Sequence, residues 1–278
     1  MNTLTSKSRI IRLFLVFLTI AALILLSLLR YNQQKQLAAI SKHKELQSIA
    51  ELKVKQLEQW RTERLSEASF FSTSKPFAAY ALGVFEGDTS ENTDYRRSLQ
   101  AIMSNGRYKN IYLLDNEGNT LFSVYQDIYI FDHKSRENLE DVFGAGHTHV
   151  RDFFYCLEHG EVHSEIAAPV FSPSGEVVMA MLFLTDPTEY LFPVIEQWPV
   201  HSAGSEAVIV RREGDSVRLL NNLLQKSNSR METTLPLRDS TYTETLAANG
   251  RRGMVIAKDY SGTMVLAENS KVADSDWV

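Results

Sequence analysis

Tyr108-Lys-Asn-Ile-Tyr-Leu-Leu-Asp115, Asn116-Glu-Gly-Asn119 and Thr120-Leu-Phe-Ser-Val124 follow one another without interruption. The outer runs are rich in the aromatic and branched residues that suit a pleated, half-buried surface. The four residues between them are those a tight reversal wants, so the stretch reads as strand, turn, strand. Downstream, Asp132 to Phe143 reads as a helix, with Asp132 placed to cap its start and Gly144 placed for a left-handed exit. Asp152 to Leu157, a turn around His159-Gly160-Glu161, and Val162 to Phe171 make a second hairpin. Ser172-Pro-Ser-Gly175 then turns the chain into Glu176 to Leu184. The expectation is a central antiparallel sheet of about five strands with helices to one side.

Asp186-Pro187 next opens a helix over Thr188 to Gln197, which Trp198-Pro199 ends. A second β series follows: Glu206 to Arg212, a turn at Glu213-Gly-Asp215, Ser216 to Leu220, Gly253 to Lys258, a turn at Tyr260-Ser-Gly262, and Thr263 to Glu268. Two similar units in tandem, residues 73–185 and 186–278, account for this pattern most simply. The fold class is α+β, each unit having a central antiparallel sheet.

Upstream, a stretch free of proline and glycine runs from Arg30 to Ser74 and is rich in helix formers. It predicts one stalk helix over 31–72. Leu46, Ala50, Val54, Leu57, Trp60, Leu65, Ala68 and Phe71 form an apolar stripe along it. The membrane-proximal part is expected to pair between two chains as a homodimer, and the part from about Val54 onward to pack on the folded region. Trp60 is expected to be buried there, with Lys53 on the opposite side.

Before the stalk, Leu13 to Leu29 reads LFLVFLTIAALILLSLL, without a charge. At about 1.5 Å per residue, with Ile10 and Ile11 added, it reaches the length that crosses a hydrocarbon core of about 30 Å. A cleaved signal peptide would need a small-x-small pattern after the apolar core, which Ser27 to Asn32 lack. The expectation is a transmembrane helix over 10–30 behind a cytoplasmic tail, 1–9. Lys7, Arg9 and Arg12 precede the span, but Arg30, Lys35, Lys42 and Lys44 follow it, so charge counting does not decide orientation.

A formal net charge of -5, with cations spread along the chain, carries no footprint for nucleic acid. Cys156 is the single cysteine, which excludes an intrachain disulfide and leaves the compartment undetermined.

From about Leu46 to its end the chain resembles the double-Cache, or tandem PAS-like, extracytoplasmic sensor regions of bacterial membrane receptors such as sensor histidine kinases and diguanylate cyclases. The residues that carry the resemblance are Leu52 to Arg64, Tyr112 to Gly118, Ala168-Pro-Val170, and above all Asp186 to Pro199 running into Ser205 to Arg212. The resemblance implies a sensory region outside the inner membrane, in the periplasm. In that family the second module closes with a strand after a Trp, a second membrane helix and a cytoplasmic output domain. Val272 to Val278 stops where that strand is due, so the second module, 186–278, is expected to be truncated and a kinase or cyclase output to lie beyond this chain.

His147, His149, Cys156, His159 and His163 form the densest group of soft ligands, and His159 and His163 have the four-residue spacing of a helical zinc pair. That spacing loses its meaning in a hairpin, so no metal and no cofactor is expected. The carboxylates of Glu158, Glu161 and Glu165 lie around turns and read as solvated. No nucleophile elbow or phosphate loop is present, so no catalysis is expected. Tyr108, Tyr112, Tyr125, Arg151 and Asp152, at strand ends, are the candidates to line a solute pocket. The function expected is sensing of a small solute, relayed through the stalk to a cytoplasmic output. The alternative is a membrane-anchored periplasmic interaction module without a small ligand.

Overall fold

The structure, a computed structural model, describes residues 3–87, 93–103, 108–126, 128–157, 159–199, 204–226 and 231–278; residues 3–16, 21, 22, 36, 38, 39, 93 and 94 are described by their backbone alone. The chain divides into two compact units, Met1–Ile49 and Ala50–Val278.

One helix, α1 (Thr3–Thr73), supplies all the described part of the first unit and enters the second. Within Met1–Ile49, Phe17, Leu18, Ile20, Leu23, Ile24, Leu25, Leu26, Leu28 and Leu29 are all exposed. The expected span includes residues 10–16, 21 and 22, whose side chains lie outside those described. Among the described residues no helix is long and apolar enough to cross a membrane.

The second unit is mixed α/β. After α1 come α2 (Lys75–Phe85), with Pro76 in its first turn where a missing N–H costs nothing, and α3 (Thr93–Met103). The hairpin forms as expected, β1 (Asn110–Leu114) and β2 (Thr120–Ser123). Its turn is held by the Asp115 carboxylate, which accepts from the backbone of Glu117 (2.9 Å) and Asn119 (2.7 Å). Gly118 takes a φ of 86°, and a side chain there would press on the Phe131 ring at 3.2 Å.

Next is α4 (His133–Ala145), capped by Asp132 through the Ser135 N–H at 2.8 Å. Its left-handed exit is Gly146 rather than Gly144. Ala145 extends the helix, and the Gly146 N–H closes on the Val142 carbonyl at 2.9 Å. Then follow β3 (His149–Cys156), β4 (Glu161–Phe171) and β5 (Val177–Thr185), giving a five-stranded antiparallel sheet ordered β2-β1-β5-β4-β3.

Helices cover both faces of this sheet, not one. Ile111, Leu113, Ile166, Ala168, Met181 and Phe183 pack with Ala68 of α1, Phe77 of α2 and Leu99 of α3, while Tyr112, Leu114, Ala167, Ala180, Leu182 and Leu184 pack with Leu139 and Val142 of α4. The cause is legible in β4 and β5, whose buried stretches are continuous rather than alternating, as two covered faces require.

The junction helix α5 (Leu191–Glu196) is shorter than expected. Asp186 takes both the N–H (2.8 Å) and the hydroxyl (2.5 Å) of Thr188, which bends residues 187–190 into a turn instead of a first helical turn. The second β series is β6 (Val210–Glu213), β7 (Ser216–Leu219), β8 (Thr234–Pro236), α6 (Thr243–Ala248), β9 (Gly253–Lys258) and β10 (Met264–Asn269). It forms two antiparallel sheets, β6-β7-β8 and β10-β9, rather than one, because no described strand lies between β6 and β10. On the edge of β6, Val278 and Val210 exchange both backbone hydrogen bonds at 3.0 Å.

The stretch of α1 from Ala50 to Thr73 packs on this unit through its stripe. Trp60 is buried, with ring centroids 5.7 Å from Phe153 and 6.4 Å from Trp277. Lys53 is not on the solvent side. One helical turn before Leu57, it shares that residue's face, is 7% exposed, and donates to the carbonyls of Val194 (2.8 Å) and Gln197 (2.7 Å) at the end of α5.

Candidate functional site

The site is built on the edge of the five-stranded sheet, where the β3–β4 ladder slips. Arg151 pairs with Glu165, but the next pair is Phe154 with His163, so Asp152 and Phe153 stand together opposite Ser164. This extra residue is a β-bulge, which re-aims side chains. It puts Arg151 and Phe154 on one face, and the guanidinium carbon lies 3.4 Å from the centre of the Phe154 ring. Asp152 is turned out of this group. Its carboxylate caps its neighbour's N–H (Phe153, 2.7 Å), accepts from the Trp277 indole and faces Arg211 at 3.4 Å.

Across the Arg151 face, the segment before α4 and the first turn of that helix close a cleft of about 240 Å3. Tyr129, Asp132, Ser135, Arg151, Phe154 and His163 line it. Arg151, 8% exposed, grips Asp132 with both terminal nitrogens, at 2.8 and 2.5 Å, and reaches the Ser135 hydroxyl and Glu165 (3.4 Å). Ser135 Oγ lies 3.1 Å from both Glu165 oxygens, and Tyr129 donates its phenol to the same carboxyl. Arg151 Nε is buried and makes no hydrogen bond among the described residues.

The charges are unequal in character. Burial raises the Glu165 carboxyl above its ordinary value, against the lowering pull of its donors Tyr129 and Ser135 and of the Arg151 charge. Burial also raises the Tyr129 phenol, helped by the charge of Glu165 and the hydrogen bond to it. For Asp132 burial pulls upward too, but the Arg151 hydrogen bond, the Ser135 N–H and the Arg151 charge outweigh it and hold the carboxyl below its ordinary value. The wall therefore presents one fixed anion on a rim that is half exposed and one buried guanidinium behind it.

His163 is 1% exposed, and burial pushes it down to about 4, with the His159 and Lys109 charges adding to the effect. The Thr185 backbone lies near enough to favour the charged form, yet neither ring nitrogen makes a hydrogen bond of ordinary geometry among the described residues. Cys156 Sγ is 3.2 Å from His159 Nδ1, and the His159 and His163 ring centres are 5.2 Å apart. His149 begins β3 while Cys156 ends it, about 23 Å apart along an extended strand. His147 precedes β3, beyond His149.

Of the five residues expected at a pocket, the structure brings Arg151 to the cleft. Tyr112 lies one layer behind, its ring 5.2 Å from that of Tyr129. Tyr108 is buried on the opposite face, beneath Arg64 (5.0 Å to the ring) and hydrogen-bonded to Glu67, so it fastens α1 to the sheet. Tyr125 is 62% exposed in the turn after β2. Sequence reasoning missed Tyr129, Asp132 as more than a cap, Ser135 and Glu165, and weighed His163 as a metal ligand but not as a cleft residue. Glu165, expected to be solvated, is 2% exposed in the middle of β4. A signal for it and for His163 existed, since both, with Ser164 between them, interrupt the apolar run of a strand buried on both faces; Glu158 lies outside the described residues.

No protein-family model matches this sequence, and no curated protein matches it. Solved structures do. The ligand-binding domain of the Pseudomonas aeruginosa PAO1 amino-acid chemoreceptor PctC, in complex with GABA, matches with a TM-score of 0.55 and 16% identity over 85% of this chain and 97% of that one. The corresponding domain of PctB from the same organism, in complex with L-Arg, gives 0.56 and 15% over 84% and 92%. That of the Pseudomonas fluorescens chemoreceptor CtaA, in complex with L-serine, gives 0.53 and 13% over 85% and 94%. The chain is similar in fold to the ligand-binding domains of bacterial chemoreceptors, which are sensor domains of the Cache type.

Proposed function

We propose that the chain is the periplasmic sensing region of a membrane-anchored receptor, and that the cleft at Arg151 takes a small zwitterionic solute of the amino-acid type. The observation that carries this reading is the Arg151–Asp132 pair. A buried guanidinium whose Nε has no partner among the described residues stands behind a half-exposed, firmly ionised carboxylate, on a wall of mixed aromatic, aliphatic and polar side chains. Such a wall offers a cation to a solute carboxylate and an anion to its ammonium group, and holding a charged side chain out of water in this way is costly unless it serves a ligand. The amino acids and GABA held by the similar chemoreceptor domains support the same solute class.

In this reading residues 10–30 span the inner membrane behind a cytoplasmic tail of residues 1–9. Residues 31–72 form the stalk and pair two chains. Residues 73–185 are the membrane-distal module that holds the solute, and 186–278 the proximal one. The ring of exposed apolar side chains from Phe17 to Leu29 supports the anchor, since water is a poor solvent for a helix apolar on all sides. Solute binding shifts the stalk and biases an output across the membrane.

The test is a thermal-shift screen against amino acids, carboxylates, amines and nucleobases. A ligand at about 100 times its Kd stabilises the folded state by about 2.7 kcal/mol. Asp132→Asn keeps a side chain that caps α4 while removing the rim charge. It is expected to lower the unliganded melting temperature, because Arg151 loses its ionised partner, and to abolish the shift that any amine-bearing hit gives the wild type. Silence of the wild type across the whole screen would favour the interaction module instead.

A further inference from the structure

We propose that Cys156, His159 and His163 form a metal site for a divalent ion of the zinc class, at the β3–β4 end of the cleft. One ligand atom from each of the three lies within 4.8 Å of the others. A tetrahedral zinc ion with Zn–S of about 2.3 Å and Zn–N of about 2.0 Å holds its ligand atoms about 3.3 to 3.6 Å apart. Cys156 Sγ and His159 Nδ1, at 3.2 Å, are already close to that separation, and the remaining separations, within 4.8 Å, have to close by about 1 Å. A four-residue histidine spacing means zinc on a helix because i and i+4 share a face. Here the reversal between β3 and β4 does the same work, folding the end of one strand over the start of the next so that Cys156 and His163 meet across the turn that carries His159.

Two features go beyond proximity. His163 is buried and neither of its nitrogens has a hydrogen-bond partner among the described residues, an arrangement that costs stability unless something accepts a lone pair from one of them. The three residues also run from exposed (His159) through half-buried (Cys156) to buried (His163), so an ion has an entry path from solvent and a fixed inner ligand. Thiolate with two imidazoles is a zinc-class donor set. Glu161, the partner of Cys156 across the ladder, is tied to Lys109. Three protein ligands then leave a fourth position for water or a donor atom of the solute, the composition of an exchangeable site rather than a closed structural one. The site stands on its own geometry, independently of which solute the cleft takes.

The test uses the full chain, purified in detergent without a polyhistidine tag and stripped of metal, and Co2+ as the spectroscopic probe. One equivalent of Co2+ is expected to bring up the visible bands of a four-coordinate ion together with a near-ultraviolet thiolate-to-cobalt charge-transfer band, both removed by Zn2+. His163 sits in the core and its loss would disturb folding, so the decisive variants are Cys156→Ser and His159→Gln, whose positions are open to solvent. Cys156→Ser is expected to remove the charge-transfer band. Removal of one ligand should cost at least as much as the outer-partner losses of about 10- to 100-fold, so His159→Gln is expected to weaken Zn2+ binding by about 100-fold or more. Both should keep the metal-free melting temperature of the wild type and lose its rise with Zn2+. Absence of the charge-transfer band in the wild type, or equal Zn2+ affinity in the wild type and both variants, would overturn the proposal.

Discussion

Arg151 on β3 and Arg211 on β6 each hold a carboxylate in a fork, but in opposite surroundings. The carboxylate that Arg151 forks, Asp132, is 55% exposed, but the Arg151 side chain is 8% exposed and that of Glu165 behind it 3%, whereas in the other cluster Arg211 is 16% exposed, Glu213 30% and Arg218 31%. The second cluster is also neatly closed. Glu213 accepts from Arg211 (2.5 Å) and Arg218 (2.5 Å), and the remaining donors reach the Phe153 carbonyl (3.0 Å) and the Met231 carbonyl (2.5 Å). Burial tends to raise Glu213, but those hydrogen bonds and charges overcome it and hold the carboxyl low, the ordinary state of a wet ion pair. In the first cluster burial wins at Glu165, and Arg151 keeps an unpaired nitrogen. Charges are expensive to desolvate and cheap to pair in water, so the same residue types mean different things: the wet cluster braces a sheet, while the dry one stores polarity facing a cleft.

The sharpest way to break this contrast is Arg151→Met. Removing one member of a buried pair strands the others, and the loss is expected to be about 3 to 5 kcal/mol in denaturant unfolding. A cost below about 1 kcal/mol would mean that water reaches the cluster and that the two arginines are alike after all.

A smaller effect, separable by pH, belongs to Glu165. Its folded carboxyl holds a proton to higher pH than the ordinary value of 4.5, chiefly through burial. The folded state thus binds more protons than the unfolded chain above that pH. The contribution of this group is complete below about pH 4.5 and is lost as pH rises through the raised folded value. Glu165→Gln mimics the protonated acid and still offers an oxygen to Tyr129 and Ser135. Wild type and variant are expected to unfold at the same denaturant concentration in acid, with the variant becoming the more stable as pH rises. The opposite slope in the difference, with the wild type gaining on the variant, would show that Glu165 is ionised.

The contrast also marks how far the sequence could be read. The first hairpin, the Asp132 cap and the strand runs of β4 and β5 were legible because turn chemistry and apolar runs are local. Arg151 was legible as a charged residue at a strand end. Asp152 went elsewhere because a bulge shifts the alternation by one, and a bulge is set by the partner strand rather than by the residues that form it. Tyr108 and Tyr125 parted company, one under α1 and one in solvent, for the same reason: which side of a sheet a helix covers is a long-range fact. The cysteine–histidine group was visible as composition and set aside for its spacing, since nothing local says that a turn will fold the two strands' ends together.

The smallest expected effect tests the wet side of the comparison. Arg218 donates to Glu213 and to the Met231 carbonyl, and its side chain is 31% exposed, so water can replace both bonds when it is removed. Glu213 does not become an orphan, because Arg211 still holds it at 2.5 Å and solvent reaches its other oxygen. The aliphatic part of the arginine lies along β7, and methionine preserves most of that packing. Arg218→Met is therefore expected to cost no more than about 1 kcal/mol, the range of exposed ion pairs, and to shrink further in high salt, where exposed pairs are screened. The measurement is the denaturant midpoint of wild type and variant at low and high ionic strength. A salt-independent loss of several kcal/mol would mean that the β6–β7 cluster is as dry as the one around Arg151, and the assignment of the solute site to the first sheet would lose its electrostatic basis.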